Sequence, residues 1–560
     1  VHVRVLAIND FHGNLAPPVG KSAVVVAPPG DPVAPPDAGH TASGNVLVPA
    51  GGAAYLAAHI ARLRAENPNT VVVSAGDLTG ASPLASNLLA DEPTVVVMNR
   101  IGLDIEGVGN HDFDRGVAAL EWLQHGGCSV ALPAAQGTEI PRASDPWPAR
   151  SAGECDAGTF PGASFAYLSA NVVEVDAGHT LFPPYVVKDF QGARVAFIGE
   201  TLAQTPKVTS PAAVSGLSFV DEADAANALV ADLKAQGVAA IVLVLHQGGA
   251  QGPGGTYDSC VGLSGALMPI LDRLSPAIDV VVSAHTHEAY DCILGGRLVT
   301  SAGSYGRLVT AIDLAIDPGE KRVVEKHARN VPVTHDIAPD RAVAELAGAY
   351  AARVAPVADR VVGYLKADVT NSPVGPSCES PLGDLIADSM QAATGADVAF
   401  INRGGIRGDL VVRPGRAPNA LTLGDVFEVE PFGNTLVTLA LKGADLRAAL
   451  EKQFSAADVL QVSRGLAYRY AKGSAKSAGR VFDAKVGGKP LDPARTYLVT
   501  IPSFLAFGGD DRYSAFKLGK VLRSGPVDLA ALVAFLGKES APGKPLDWHP
   551  ASRVDGDGCR

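Results

Sequence analysis

The chain has 560 residues, with 46 Lys and Arg against 58 Asp and Glu, for a formal net charge of -12. That length exceeds what one hydrophobic core serves, at about 150 residues per domain, and points to two large domains. The acidic balance argues against a nucleic-acid polymer as partner, and the lack of an uninterrupted apolar run of about 18 residues excludes a membrane-spanning helix.

Val3 to Ile8 reads as a buried strand, and Asn9-Asp10-Phe11-His12-Gly13 follows it, which places Asp10 and His12 on a loop. Residues 17 to 50 are rich in Pro, Ala, Gly and Val, show no sustained period, and are read as a surface insertion. From Gly51 the pattern is helical, with Leu56, Ile60 and Leu63 on one face, and it stops near Asn67-Pro68. Val71 to Val73 is the next strand, and Ser74-Ala75-Gly76-Asp77 comes off its end. The run Gly107-Val108-Gly109 then lets the backbone turn tightly into Asn110-His111-Asp112-Phe113-Asp114, where an amide, an imidazole and two carboxylates arrive together. Residues 126 to 165 break the rhythm and read as a second insertion, clipped by a disulfide. Val195 to Gly199 is a strand that releases no ligand. Ile241 to Leu245 runs into His246, and Val280 to Val282 runs through Ser283-Ala284 into His285-Thr286-His287.

Five strand-like segments therefore each release an Asp, Asn or His at the C-terminal end, the edge at which open α/β sheets bind ligands. Any one of them is an ordinary turn residue or satisfied polar group; five in the same grammar specify a site. Hard oxygens from Asp10, Asp77 and Asn110, mixed with imidazoles from His12, His246, His285 and His287, suit two divalent ions of the Zn or Mn kind if one carboxylate bridges. His111 and Asp114, three residues apart on one turn, can pair as a general acid and its orienting carboxylate. A cation pair resets the local field, so a nucleotide-sized anion is compatible with the acidic chain.

Val343, Leu346 and Tyr350 then mark a linking helix ended by Pro356. The second block starts near Val361. Ser380-Pro381 reads as N-cap and first residue of a helix containing Leu385, Ile386 and Met390, Val398 to Ile401 as a strand, Thr422 to Asp425 as a capped helix start, and Thr435 to Leu441 as a strand. The six cysteines have no CxxC spacing, so disulfides are expected rather than a zinc site, and with them an extracytoplasmic location, periplasmic or secreted. Cys260 and Cys292 flank the His285 strand and Cys128 and Cys155 flank the second insertion, which pairs them and leaves Cys378 with Cys559. The chain opens at Val1 in an apparent strand, as it does after removal of a signal peptide or after trimming, and Trp548 to Arg560 is polar, with no hydrophobic tail for an anchor. Nothing in the sequence sets an oligomeric state.

Gly109-Asn110-His111-Asp112-Phe113-Asp114 resembles the signature of the calcineurin-like metallophosphoesterases, and more narrowly of the 5'-nucleotidases. The resemblance implies a four-layer α/β/β/α phosphoesterase domain over residues 1–335, with insertions near 17–50 and 126–165. It further implies a linker helix over 336–359 and a separate α/β nucleotide-binding domain over 360–560. It assigns Asp10, His12 and His287 to one ion, Asn110, His246 and His285 to the other, and Asp77 to both, with a metal-activated water attacking the phosphate and the His111–Asp114 dyad assisting. Asn402-x-Gly-Gly-Ile-Arg407, Pro431-Phe432-Gly433 and Phe504-Leu-Ala-x-Gly-Gly-Asp510 resemble the substrate-recognition motifs of 5'-nucleotidase C-terminal domains. In that reading Phe432 and Phe504 sandwich the base, Asp510 accepts from the ribose hydroxyls, and Arg407 with Asn402 holds the anionic end. Members of that family carry arginines just before the Glu-Ser-x-x-Gly helix start, and residues 375–380 here have none, which shifts their load to Arg407 and Arg403. The implied reaction is hydrolysis of nucleoside 5'-monophosphates. UDP-sugar or NAD pyrophosphatase activity, 2',3'-cyclic phosphodiesterase with 3'-nucleotidase activity, and a nucleotide-binding surface protein without turnover are the alternatives.

Overall fold

The structure is a computed structural model that describes residues 1–35, 38–41, 44–129, 158–374, 379–413, 419–453, 459–471, 480–507, 511–549 and 552–556. Two compact units are present among the described residues, one running up to Arg353 and the other starting at Val354.

In the first unit, alternation along the strands builds the layers. One six-stranded sheet runs in the order Arg322–Pro332, Leu308–Asp317, His2–Ile8, Thr70–Ser74, Ile105–Gly107, Ala166–Leu168. The other runs Tyr185–Phe190, Ala193–Glu200, Ala240–Leu245, Val280–Ser283, Arg297–Ala302, Ala289–Leu294. Val3, Val5, Ala7, Val71 and Val73 meet Val195, Phe197, Val242, Val244 and Val282 in a core between the sheets. Their neighbours of opposite parity, Leu6, Ile8 and Val72, pack outward with Leu56, Ile60 and Leu63 of helix Ala53–Ala65, while Ile241, Leu243 and Val281 pack against Ala223, Leu233 and Ile270 of the helices on the other sheet. Strands buried on both faces read as unbroken apolar runs, which is why these were visible in the sequence. The result is the expected four-layer α/β/β/α order.

His2–Ile8, Thr70–Ser74 and Ile105–Gly107 are mutually parallel, as are Ala193–Glu200, Ala240–Leu245 and Val280–Ser283. Their C-terminal ends therefore emerge on one edge of each sheet. Residues 17–50 are more structured than their composition suggests: Val24–Ala27 pairs antiparallel with Val46–Pro49, and Val25, Ala27, Val46 and Val48 form a small core with Ala302 and Leu308. Alternating valines on a short ribbon suffice when one face finds a partner. The linking helix spans Arg341–Ala358 and carries Pro356 inside its last turn rather than ending there. A proline that late removes a hydrogen bond without breaking the turns before it.

The second unit has a five-stranded sheet in the order Gln461–Val462, Val398–Ile401, Thr496–Pro502, Thr435–Lys442, Lys520–Val527, and a four-stranded sheet of Lys489–Pro490, Arg480–Val486, Leu466–Ala471 and Val554–Gly556. Ser380 caps helix Pro381–Thr394, its Oγ accepting from the Gly383 N–H at 3.0 Å, and Thr422 with Asp425 forms a reciprocal capping box on helix Leu423–Val429. Cys260 and Cys292 are disulfide-bonded, as expected. Cys128 is also disulfide-bonded, whereas Cys155, Cys378 and Cys559 lie outside the described residues, so the pairings of 128 with 155 and 378 with 559 stand as proposals.

Candidate metal centre and substrate-binding residues

Asp10, His12, Asp77, His285 and His287 all have positive φ, at 48°, 49°, 52°, 70° and 58°. Side-chain-bearing residues avoid this region, each at a cost of about 1–3 kcal/mol, and such strain clusters where surrounding structure holds groups for function. All five follow the ends of three strands, where the chain turns out of the sheet. Gly76 and Gly109 make that close packing feasible: a Cβ on the first would collide with the His246 ring, and one on the second with the Asp77 carboxylate.

Asp10, His12 and His287 offer ligand atoms within 4.8 Å of one another, and Asp77, His246 and His285 do the same. Nε2 of His12 lies 3.1 Å from Nε2 of His287 and 3.7 Å from Oδ2 of Asp77; His246 Nε2 lies 3.1 Å from the same Asp77 oxygen and 3.2 Å from Oδ1 of Asn110. Asp77 thus reaches both groups. The other ring nitrogens are tied back, His12 Nδ1 to the Gly80 carbonyl and His246 Nδ1 to the Ala75 carbonyl, each at 2.8 Å, which fixes the tautomer that leaves an Nε2 lone pair facing the carboxylates. This donor chemistry fits two divalent cations.

The electrostatics favour positive charge at this spot. Burial pushes the Asp10 carboxyl up to about 7, against the pull of His246 and with the push of Asp77. Burial opposes ionisation of Asp77 too, but His246, His111 and His12 around it hold its carboxyl well below the ordinary range. Burial also works against a charged His246, yet Asp77 and Asp10 outweigh it and lift the ring to about 9. His111 stands beside the cluster, its Nδ1 3.0 Å from Asp114 Oδ2 and its main-chain N–H donating to Asp77 Oδ1 at 2.7 Å.

Sequence reasoning passed over two supporting residues. Asp112, inside the motif, accepts from the N–H groups of Gly109 (2.8 Å), Asp77 (3.1 Å) and Thr79 (3.0 Å), and so staples the Asp77 and Asn110 loops together. Asn9 donates to Asp10 Oδ2 at 2.7 Å and to the Gly303 carbonyl at 2.6 Å. The signal for both was adjacency to a ligand; nothing in their spacing distinguished them from turn formers.

In the second unit Arg407 and Phe432 come together, with the guanidinium carbon 5.8 Å from the ring centroid. Arg403 donates to the Asn371 carbonyl at 3.3 Å, and Asn402 is buried, its carbonyl accepting from the Gly405 N–H. Phe504 is half-buried and packs on the unit's core, while its N–H donates to Asn434 Oδ1 at 3.2 Å. Asn434 was also missed: its side chain bonds Ser503 and Asp528, and its carbonyl accepts from the Asp528 N–H at 2.8 Å. Asp510 lies outside the described residues.

Asp528 and Glu430 are a buried acid pair behind these loops. Burial pushes Asp528 up to about 7, and burial together with the Asp528 charge pushes Glu430 well above its ordinary value. The native state therefore binds more protons than the unfolded chain above about pH 4, so the contribution of protonated Asp528 to stability is fully present below about pH 4 and is lost as pH rises through about 7. Asp528→Asn is expected to raise the melting temperature relative to wild type at pH 8 and to change it little at about pH 4, below the window; equal shifts at both pH values would contradict this assignment.

Comparison with known proteins agrees with this geometry. Residues 3–289 match the calcineurin-like phosphoesterase family, and residues 361–518 match the 5'-nucleotidase C-terminal domain. The endonuclease YhcR of Bacillus subtilis is 30% identical over 97% of this chain, which spans only 40% of YhcR's own length. The cell wall protein Lmo0130 of Listeria monocytogenes is 28% identical over 99% of this chain and 69% of its own. The crystal structure of a 5'-nucleotidase precursor from Thermus thermophilus has a TM-score of 0.74 and 27% identity, covering 99% of each chain. With two groups that could hold metal ions at the strand ends and both halves matched, the chain belongs to the calcineurin-like phosphoesterases as a hydrolase of phosphoric esters, with a 5'-nucleotidase C-terminal domain.

Proposed function

We propose that the protein hydrolyses nucleoside 5'-monophosphates to nucleoside and phosphate. The observation that carries the reading is the shared reach of Asp77 into two three-residue metal-holding groups beside the His111–Asp114 pair. Asp10, His12 and His287 would hold one divalent ion and Asn110, His246 and His285 the other, with Asp77 between them. Bound there, the ions supply Lewis acidity and an activated water for in-line attack on the phosphoryl group. Asp114 accepts from Nδ1–H of His111 and so orients the ring and supports its charged form, in which Nε2–H would be the proton given to the leaving 5'-oxygen or shared with the phosphoryl oxygens. Arg407, with Arg403 and Asn402, takes the anionic end, Phe432 and Phe504 the base, and Asp510 the ribose. The 5'-nucleotidase named among the solved structures, similar over 99% of the chain, supports this substrate class.

A second reading, phosphodiester cleavage, is favoured by the endonuclease name of one relative and by the absence of arginines at 375–380. Chromatographic analysis of the products formed from AMP, 3'-AMP, cyclic AMP, UDP-glucose and NAD with added Mn or Zn separates them, because diester cleavage yields monoesters and monoester cleavage yields free phosphate. AMP is expected to be the best substrate; faster turnover of cyclic AMP or NAD would overturn the monoesterase reading.

An extracytoplasmic location is supported by the Cys260–Cys292 disulfide and by relatives named as a cell wall protein and as a precursor. Among the described residues no helix is long and apolar enough to cross a membrane.

A further inference from the structure

Tyr305 sits beyond the strand Arg297–Ala302 at φ 60°, and its N–H donates to the Asp10 carbonyl at 2.8 Å. Its ring meets His287 edge to face, with centroids 5.3 Å apart at 83°, and lies 5.9 Å from the His12 ring. Arg307 places its guanidinium carbon 5.5 Å from the same ring's centroid. The guanidinium is itself fixed by three neutral oxygens: the Ser304 carbonyl (3.0 Å), Ser304 Oγ (2.7 Å) and the carbonyl of Val24 (2.8 Å). Val24 opens the inserted ribbon Val24–Ala27/Val46–Pro49, whose core rests on Ala302 and Leu308, three residues to either side of Tyr305.

This chain of contacts addresses a weakness in the metal centre. The side chains of Asp10 and His12 are fully buried, whereas that of His287 is 24% exposed and hangs on a loop residue of positive φ. Ring orientation sets a histidine's affinity for metal, and outer contacts that fix it are worth about 10- to 100-fold. An aromatic edge-to-face contact restrains a ring, and a cation over the restraining ring holds that ring in turn. We propose that Tyr305 is a positioning residue for the Asp10–His12–His287 half of the metal centre, and that the inserted ribbon holds it there through Val24 and Arg307. The insertion is then part of the site's support and not decoration. This rests on the two-ion reading above.

The test uses the full chain loaded with Mn, measuring ions per chain and the affinity of each against a competing chelator, with a melting curve for every variant. Wild type is expected to hold two ions. Tyr305→Ala keeps one at wild-type affinity and binds the other about 10- to 100-fold more weakly. Tyr305→Phe, which retains the ring, stays near wild type, and Arg307→Met falls between. Should Tyr305→Ala melt too low to titrate, Tyr305→Leu and Arg307→Met carry the same comparison. Both ions at wild-type affinity in the variants lacking the ring overturns the proposal, as does Tyr305→Phe behaving like Tyr305→Ala, which would assign the effect to the hydroxyl. Fewer than two ions in the unsubstituted protein overturns the two-ion reading itself, a failure visible before any variant is compared.

Discussion

Replacing His111 by alanine is expected to lower kcat by about 10²- to 10⁴-fold while both ions stay bound. The ring belongs to neither three-residue group that could hold a metal, and its Nδ1 is engaged by Asp114 at 3.0 Å, the arrangement of a ring that a carboxylate orients and whose charged form it supports. What ties His111 to the metal ligands is its main-chain N–H on Asp77, which alanine retains. Asp77→Ala should do the reverse: it removes a carboxylate that reaches both groups and leaves His246 and His12 without it, so metal content falls. Asp114→Asn should resemble a milder His111→Ala, since the ring remains but its orientation and charge stabilisation weaken. Elemental analysis beside single-turnover kinetics distinguishes these roles. Loss of both ions from His111→Ala, with retention in Asp77→Ala, would reject the assignment.

Much of the first unit was legible because the physics that buries a strand on both faces also writes it as an apolar run, and because the candidate ligands follow such runs. Asp10, Asp77, Asn110, His246, His285 and His287 could thus be placed at the C-terminal ends of strands, which the fold divides between two sheets, without knowing the register. Supporting residues were not legible for the opposite reason. Asp112 acts by accepting three main-chain N–H groups from two loops, and Tyr305 touches His287 across a turn that joins strands far apart in sequence from His12. Neither leaves a periodic trace. The ribbon in residues 17–50 was overlooked because four-residue strands are too short to show alternation above a Pro- and Ala-rich background. Helix caps in the second unit, Ser380 and Thr422, were readable because capping is a local bond between residues three apart.

Phe504→Ala is expected to lower kcat/KM for AMP by about 5- to 150-fold, the equivalent of about 1 to 3 kcal/mol for loss of one stacking ring, while p-nitrophenyl phosphate turnover stays nearly constant. The base-free ester would need only the residues proposed to hold the metals and His111, which lie in the first unit, whereas Phe504 lies in the second. Stacking uses the π-face that every nucleobase offers, so purine and pyrimidine nucleotides should lose alike. Phe504 also packs on its unit's core, so alanine carries a stability cost that could be mistaken for a binding effect. Phe504→Leu separates the two, since it keeps most of the apolar volume and discards the aromatic face. If the ring stacks on the base, leucine restores the melting temperature but not the activity on AMP. If the ring is only packing, leucine restores both, and alanine damages both substrates equally. Phe507, 59% exposed three residues later, is the internal control. A loss on AMP that follows Phe507→Ala and spares Phe504→Ala would move the stacking surface to that ring and sink the Phe432–Phe504 clamp.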